Sequence, residues 1–179
     1  MLVVLNLENE MPHDLHCTLW PSHDTRRFFP DLTLRHRRQL STDCVPNALS
    51  VITGIEPAFV KRDINTQSPI SWSDFLGGSG YQLAYCNTDF RRLQHYVAEL
   101  LALDDLFLIS TYGAVDPRAI GSEPDSAGWI TSSHIAVLYR DTVYDSMLAG
   151  PCPLAEYGRL NRYVKRLFRV VPFGFSRSL

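Results

Sequence analysis

Long apolar runs are absent from this chain of 179 residues, and none approaches the ~20 residues that a membrane-spanning helix needs. Residues 1–7 are apolar, but no basic segment precedes them and they are too short for a secretory signal peptide. We therefore predict a first β-strand there, no membrane association and a cytoplasmic protein. For a pathogen-encoded chain, the host cytoplasm is the corresponding compartment.

A large excess of either charge is also missing, since the formal net charge is −2. The sequence therefore predicts no general attraction to nucleic acid or to an anionic membrane. The cysteines are few and lack the spacing of a disulfide framework; they are Cys17, Cys44, Cys86 and Cys152. Without an export signal, we expect these thiols to be reduced.

The composition is that of an ordinary globular protein, with 45% hydrophobic and 20% charged residues, and it favours a single domain over residues 1–179. Apolar residues recur at helical spacing in residues 43–53 and 90–103. Runs typical of strands occupy residues 106–112, 132–139, 142–146 and 163–171. Residues 8–41 and 55–70 are expected to be irregular. Helices followed mainly by strands predict an α+β fold with an antiparallel sheet.

The helix predicted at 43–53 carries a cysteine in its first turn. Thr42 or Asp43 is a suitable N-cap, and Pro46 is tolerated only near a helix start. Gly54 is a natural stop. The helix dipole and the free N–H groups of the first turn favour an anion at Cys44, which predicts a nucleophilic thiolate. The alternative is a buried structural cysteine, which is common for a free Cys.

A second candidate site lies on the hairpin near the C-terminus, whose two strands are separated only by Arg140 and Asp141. A two-residue turn there places Ala136 opposite Asp145. His134 shares the face of Ala136 because side chains alternate along a strand, so it lies diagonal to Asp145, roughly 7–8 Å away between backbones. Asp145 can then orient the imidazole as a base. Taken singly, a core histidine and a strand-end aspartate remain the alternatives.

Residues 43–49 (DCVPNAL), with His134 on one strand and Asp145 on the next, resemble the papain-like cysteine peptidases. Within that superfamily they are most similar to the double-glycine leader peptidase type, whose helix begins Asp-Cys-Gly-x-Ala. The resemblance implies a papain-like α+β fold in which the cysteine helix packs on an antiparallel sheet. It also implies Cys44 as nucleophile, His134 as general base and then acid, and Asp145 as orienter.

The resemblance has two departures. Val45 stands where that type usually has glycine. The oxyanion-hole glutamine of the family lies shortly before the cysteine, and Gln39 is the candidate, one residue closer than the commonest spacing. A surface role for Gln39 is the alternative, and the Cys44 backbone N–H is a second candidate donor.

The predicted function is that of a thiol hydrolase that cleaves a peptide or isopeptide bond through a thioester, without metal or cofactor. The expected partner is a protein or peptide substrate, with ubiquitin-like modifiers among the candidates. Trp72, Gly78 and Trp129 are candidate cleft residues. Acyl transfer to an amine (transglutaminase-like), glutamine deamidation and an inactive papain-like interaction module remain alternative functions.

Three further motifs are weaker. His13, His16, Cys17 and His23 are metal-ligand types, but their spacing matches no closed zinc pattern and favours an exposed loop. The basic run at 35–38 (RHRR) favours a solvated loop over a docking site, because no matching basic face is evident elsewhere in the sequence. The glycine-rich segment at 77–80 is predicted as a turn.

Overall fold

The computed structural model describes residues 18–38, 43–113 and 133–176. The strand predicted at 1–7 and the histidine- and cysteine-containing segment at 13–17 lie outside these ranges, as do Gln39 and Trp129. Among the described residues, no helix combines the length and the apolar character that crossing a membrane requires.

Along the described chain, most of the helices come first and most of the strands follow them. The helices are α1 (Cys44–Thr53), α2 (Pro57–Asp63), α3 (Pro69–Gly77) and α4 (Val97–Leu103), with 3-10 turns at Leu93–Tyr96 and Leu154–Glu156. The strands are β1 (Tyr81–Tyr85), β2 (Leu106–Tyr112), β3 (Ser133–Tyr139), β4 (Thr142–Tyr144), β5 (Cys152–Pro153) and β6 (Val164–Pro172).

The strands form one six-stranded sheet in the order β1-β6-β2-β3-β4-β5. Every neighbouring pair is antiparallel. This confirms the predicted α+β class with an antiparallel sheet. β2 and β3 lie in the interior of the sheet, which explains why their sequences read as nearly continuous apolar runs.

The sheet separates two apolar cores. In β2, Leu106 and Leu108 contribute to one core, whereas Phe107 and Ile109 contribute to the other. Helices α1, α2 and α3 cover the first core, and α1 packs directly on β3. The 3-10 turn at Leu93–Tyr96 and helix α4 cover the second core, together with residues near the start of the described chain.

The strand predicted at 142–146 is shorter in the structure, where β4 covers Thr142–Tyr144, and two further predictions also differ. Residues 55–70, predicted to be irregular, contain α2 and the start of α3. Both helices begin at a proline, which suits a helix start, and Ser68 caps α3 through a hydrogen bond from the Ser71 N–H. α2 buries only Val60, so its sequence carries little helical periodicity.

The helix predicted at 90–103 begins later than expected. The Leu93 and Gln94 N–H groups donate to carbonyl oxygens of residues 162 and 160 at 2.9 and 2.8 Å. This pairing holds the segment in a 3-10 turn before α4 begins at Val97. The helix ends at Asp104, which has a left-handed φ of 47°.

Candidate active site

Cys44 is the first residue of α1, as the sequence predicts. Pro46 lies within the first turn, and Gly54 ends the helix with a left-handed φ of 75°. Thr42, one of the two predicted capping residues, lies outside the described residues. Asp43 is the N-cap residue, but its side chain makes no capping hydrogen bond. The carboxylate instead binds Lys61 on α2 at 2.9 Å, because α1 and α2 pack together. The Cys44 sulfur therefore lies at the positive end of the helix dipole.

His134 and Asp145 form a buried hydrogen bond of 2.6 Å between Nε2 and Oδ1. The predicted register is confirmed, since β3 and β4 pair Tyr139 with Thr142 and Val137 with Tyr144. Asp145 follows directly after β4, and only 1% of it is exposed. A carboxylate oxygen can only accept, so Nε2 carries a proton and Nδ1 remains for another partner.

The His134 side chain and the backbone N–H groups of Ile135 and Val45 interact with the Cys44 sulfur and lower the pKa of its thiol. α1 packs on the sheet face of Ile135 and Val137, whereas strand alternation places His134 on the opposite face with Ala136. A thiol and an imidazole from opposite faces can meet only at an end or edge of the sheet. Here they meet near the start of β3.

The early end of β4 opens that edge of β3. In an antiparallel ladder every second residue directs its N–H toward a given neighbouring strand. The two-residue turn makes Tyr139 and Val137 the β3 residues whose N–H groups point toward β4. Ile135 lies two residues before Val137, so its N–H points toward the same side. β4 ends at Tyr144, so this N–H extends past the strand and is available to the sulfur.

Three further groups hold the Asp145 carboxylate. The Met147 N–H donates to Oδ1 at 2.8 Å, and the Tyr157 hydroxyl donates to Oδ2 at 2.7 Å. Arg159 Nε lies 3.8 Å from Oδ2. Sequence reasoning missed Tyr157, because no spacing rule links a tyrosine in a proline-containing loop to a strand-end aspartate. These contacts hold the carboxylate in the orientation in which Oδ1 accepts the hydrogen bond from His134.

The surroundings shift the pKa of each of the three groups. Burial raises the pKa of the Cys44 thiol, but the hydrogen bond and positive charge of His134 outweigh it and the net pKa is lowered. Burial lowers the pKa of His134, yet hydrogen bonds to Asp145 and Cys44 raise it overall. Burial raises the pKa of Asp145, but the hydrogen bond from His134 leads the groups that lower it overall. All three directions favour a thiolate beside an imidazolium.

The two described cleft candidates lie elsewhere. Trp72 is 3% exposed, packs edge-on against Phe168 and donates its Nε1–H to the Asn65 carbonyl at 2.9 Å. Gly78 lies exposed between α3 and β1, and β1 is three strand positions from β3, about 14 Å across the sheet. The prediction that they line the cleft is thus corrected: Trp72 belongs to the core, and Gly78 to a turn beyond the far edge of the sheet.

Within the described ranges, no three His, Cys, Asp or Glu side chains converge in a way that suits a metal ion. Cys44 and Cys152 are free thiols. No protein-family model and no curated protein matches this chain. The assignment of chemistry therefore rests on the site itself.

Proposed function

We propose that this protein is a cysteine peptidase, a thiol hydrolase that cleaves a peptide or isopeptide bond. The observation that carries the proposal is the buried hydrogen bond between His134 and Asp145, together with the interaction by which His134 lowers the pKa of the Cys44 thiol. A nucleophile, a base and an orienting carboxylate in hydrogen-bond contact are the signature of covalent acyl transfer.

The reaction begins when the Cys44 sulfur attacks the carbonyl carbon of the scissile bond. His134 holds the thiol proton and delivers it to the leaving amine as the C–N bond breaks, which leaves a thioester on Cys44. His134 then takes a proton from water, and the resulting hydroxide attacks the thioester. The carboxylic acid leaves, and the proton returns to the Cys44 sulfur.

The negative oxygen that forms at each attack requires hydrogen-bond donors. The first N–H groups of α1 have no acceptor within the helix and lie beside the sulfur, so the Cys44 N–H is a suitable donor. Gln39, proposed as a second donor by resemblance, is outside the described residues.

A papain-like arrangement is part of this proposal. Its support is the combination of a cysteine at the start of a helix that packs on an antiparallel sheet, a histidine on β3 and an aspartate directly after β4. The proposed partner is accordingly a protein or peptide substrate.

The test is cleavage of a complex peptide mixture, with products identified by mass spectrometry in ¹⁸O-enriched water. We expect the protein to generate new C-termini that carry the heavy isotope, and the Cys44→Ala variant to generate none. The Cys152→Ala variant is the matched control and should behave as the unmodified protein. Equal product formation by the Cys44→Ala variant, or no cleavage by the unmodified protein, would overturn the proposal.

A further inference from the structure

A cleft of about 510 Å³ lies beside the N-terminus of α1. Its walls come from three segments: residues 35–38, the start of α1 at Asp43 and Asn47, and the start of α2 from Glu56 to Lys61. Asp43 directly precedes the proposed nucleophile Cys44 in the chain, so the cleft lies next to the start of the helix that carries it.

The cleft is rich in positive charge, although the chain as a whole has a formal net charge of −2. Its two carboxylates are already paired, Glu56 with Arg37 at 2.8 Å and Asp43 with Lys61 at 2.9 Å. Arg35 and Arg38 also line the cleft; both are exposed, and neither has an ion-pair partner within the described part of the chain. Among the described residues, the side chains that line the cleft therefore carry an excess of positive charge that suits an anionic ligand.

The basic segment is anchored by hydrogen bonds to two other parts of the structure. His36 donates its Nε2–H to the Leu148 carbonyl at 3.0 Å, three residues beyond Asp145. Arg37 donates to the Gly54 carbonyl at 3.3 Å, at the end of α1. These anchors connect the segment to the loop that follows Asp145 and to the C-terminal end of α1, which distinguishes it from a free surface loop.

We propose that the cleft selects substrates with acidic side chains near the scissile bond, through Arg35 and Arg38. The proposal rests on the proposed peptidase function and names its substrate class. The acidic side chain is therefore tested at each position about two to four residues from the attacked carbonyl. The α1 dipole adds to the same attraction.

The test uses two peptidyl chloromethyl ketones that differ only in carrying Glu or Gln at these positions. The rate of Cys44 alkylation is measured by mass spectrometry for each probe, with the neutral reagent iodoacetamide as reference. We expect the Glu probe to react about three- to tenfold faster than the Gln probe at low salt. The preference should shrink as salt screens the charges.

The double variant Arg35→Gln/Arg38→Gln should remove the preference without changing the iodoacetamide rate. The matched control is Arg140→Gln, an exposed arginine on the β3–β4 turn, which should retain it. Equal rates for the two probes, or a Glu preference that persists in the double variant, overturn the specificity proposal alone. Failure of both peptide probes, while iodoacetamide still modifies Cys44, overturns the peptidase function together with it.

Discussion

The Tyr157 hydroxyl is the contact that best distinguishes Asp145 from an ordinary strand-end carboxylate. It is buried and supplies the donor to Oδ2, whereas His134 and the Met147 N–H use Oδ1. We assign Tyr157 as a positioning residue, because it acts on the imidazole only through Asp145. Removal of the Tyr157 hydroxyl should therefore lower the activity of the site without changing a contact of the Cys44 sulfur.

For Tyr157→Phe we expect the peptide cleavage rate to fall about three- to tenfold, because the carboxylate that orients His134 loses a charge-assisted hydrogen bond. The pKa of Asp145 should rise, since one of the groups that lower it is gone. Asp145 must be ionised to orient His134, so the acidic limb of the pH–rate profile should move to higher pH.

The matched control is Tyr96→Phe, which removes a buried hydroxyl that donates to Asp89 at 2.6 Å away from the site. Both variants should lose about 1–2 kcal/mol of unfolding free energy. Only Tyr157→Phe should change the pH–rate profile. An unchanged profile in that variant would show that the hydroxyl serves stability alone.

The C-terminal end of α1 is formed by a left-handed turn at Gly54. Gly54 has a φ of 75°, and its N–H donates to the Ser50 carbonyl at 2.9 Å. A Cβ added there would meet nothing within 4 Å, so any cost of a side chain is conformational and not steric. Gly54→Ala should lower the free energy of unfolding by about 1–2 kcal/mol, as measured by urea denaturation.

Gly150→Ala is the matched control for that substitution. Gly150 also has open space for a Cβ but lacks a left-handed φ. Its replacement should leave stability unchanged or raise it by about 0.4–1 kcal/mol, because alanine restricts the unfolded chain. Equal effects of the two substitutions would contradict the conformational account of the α1 end.

The elements that were predictable from sequence are those with a local rule. The two-residue turn at Arg140 and Asp141 determines the register of β3 and β4, and this register leads directly to the pair of His134 and Asp145. α2 was not predictable, because it exists through packing on α1 and buries a single residue, Val60. The contact between Cys44 and Ile135 depends on where β4 stops, which no periodicity in the sequence encodes.

At the scale of the whole molecule, a buried ion pair attaches the start of the described chain to the sheet. Arg169 on β6 and Asp105 are both fully buried and bind each other at 2.6 Å. Asp105 also accepts the Phe28 N–H at 2.9 Å and the Phe29 N–H at 3.2 Å. The Arg169 guanidinium lies over the Trp20 and Phe28 rings at 4.8 and 4.5 Å.

Asp105→Asn should therefore lower the free energy of unfolding by about 3–5 kcal/mol, because it leaves the Arg169 charge buried without a counter-ion. Asp104→Asn is the matched control. Asp104 pairs with Arg27 and Arg140 near the surface, and asparagine accepts its left-handed φ readily, so a change within about 1 kcal/mol is expected. Urea denaturation of both variants measures the difference, and similar losses would contradict this account.

The central claim is that Cys44, His134 and Asp145 act as one site. Its most direct test is the pH dependence of iodoacetamide alkylation at each cysteine, followed by mass spectrometry. Only the thiolate reacts, and its fraction increases as pH rises through the pKa of the thiol. Because His134 lowers the pKa of Cys44 whereas burial raises that of Cys152, Cys44 should react selectively at mildly acidic pH.

In His134→Gln the imidazolium is gone while burial of the thiol remains, so the pKa of Cys44 should rise. Its alkylation profile should then move to alkaline pH, toward that of Cys152. An identical Cys44 profile in the unmodified protein and in His134→Gln would contradict the claim that the two residues form one catalytic unit.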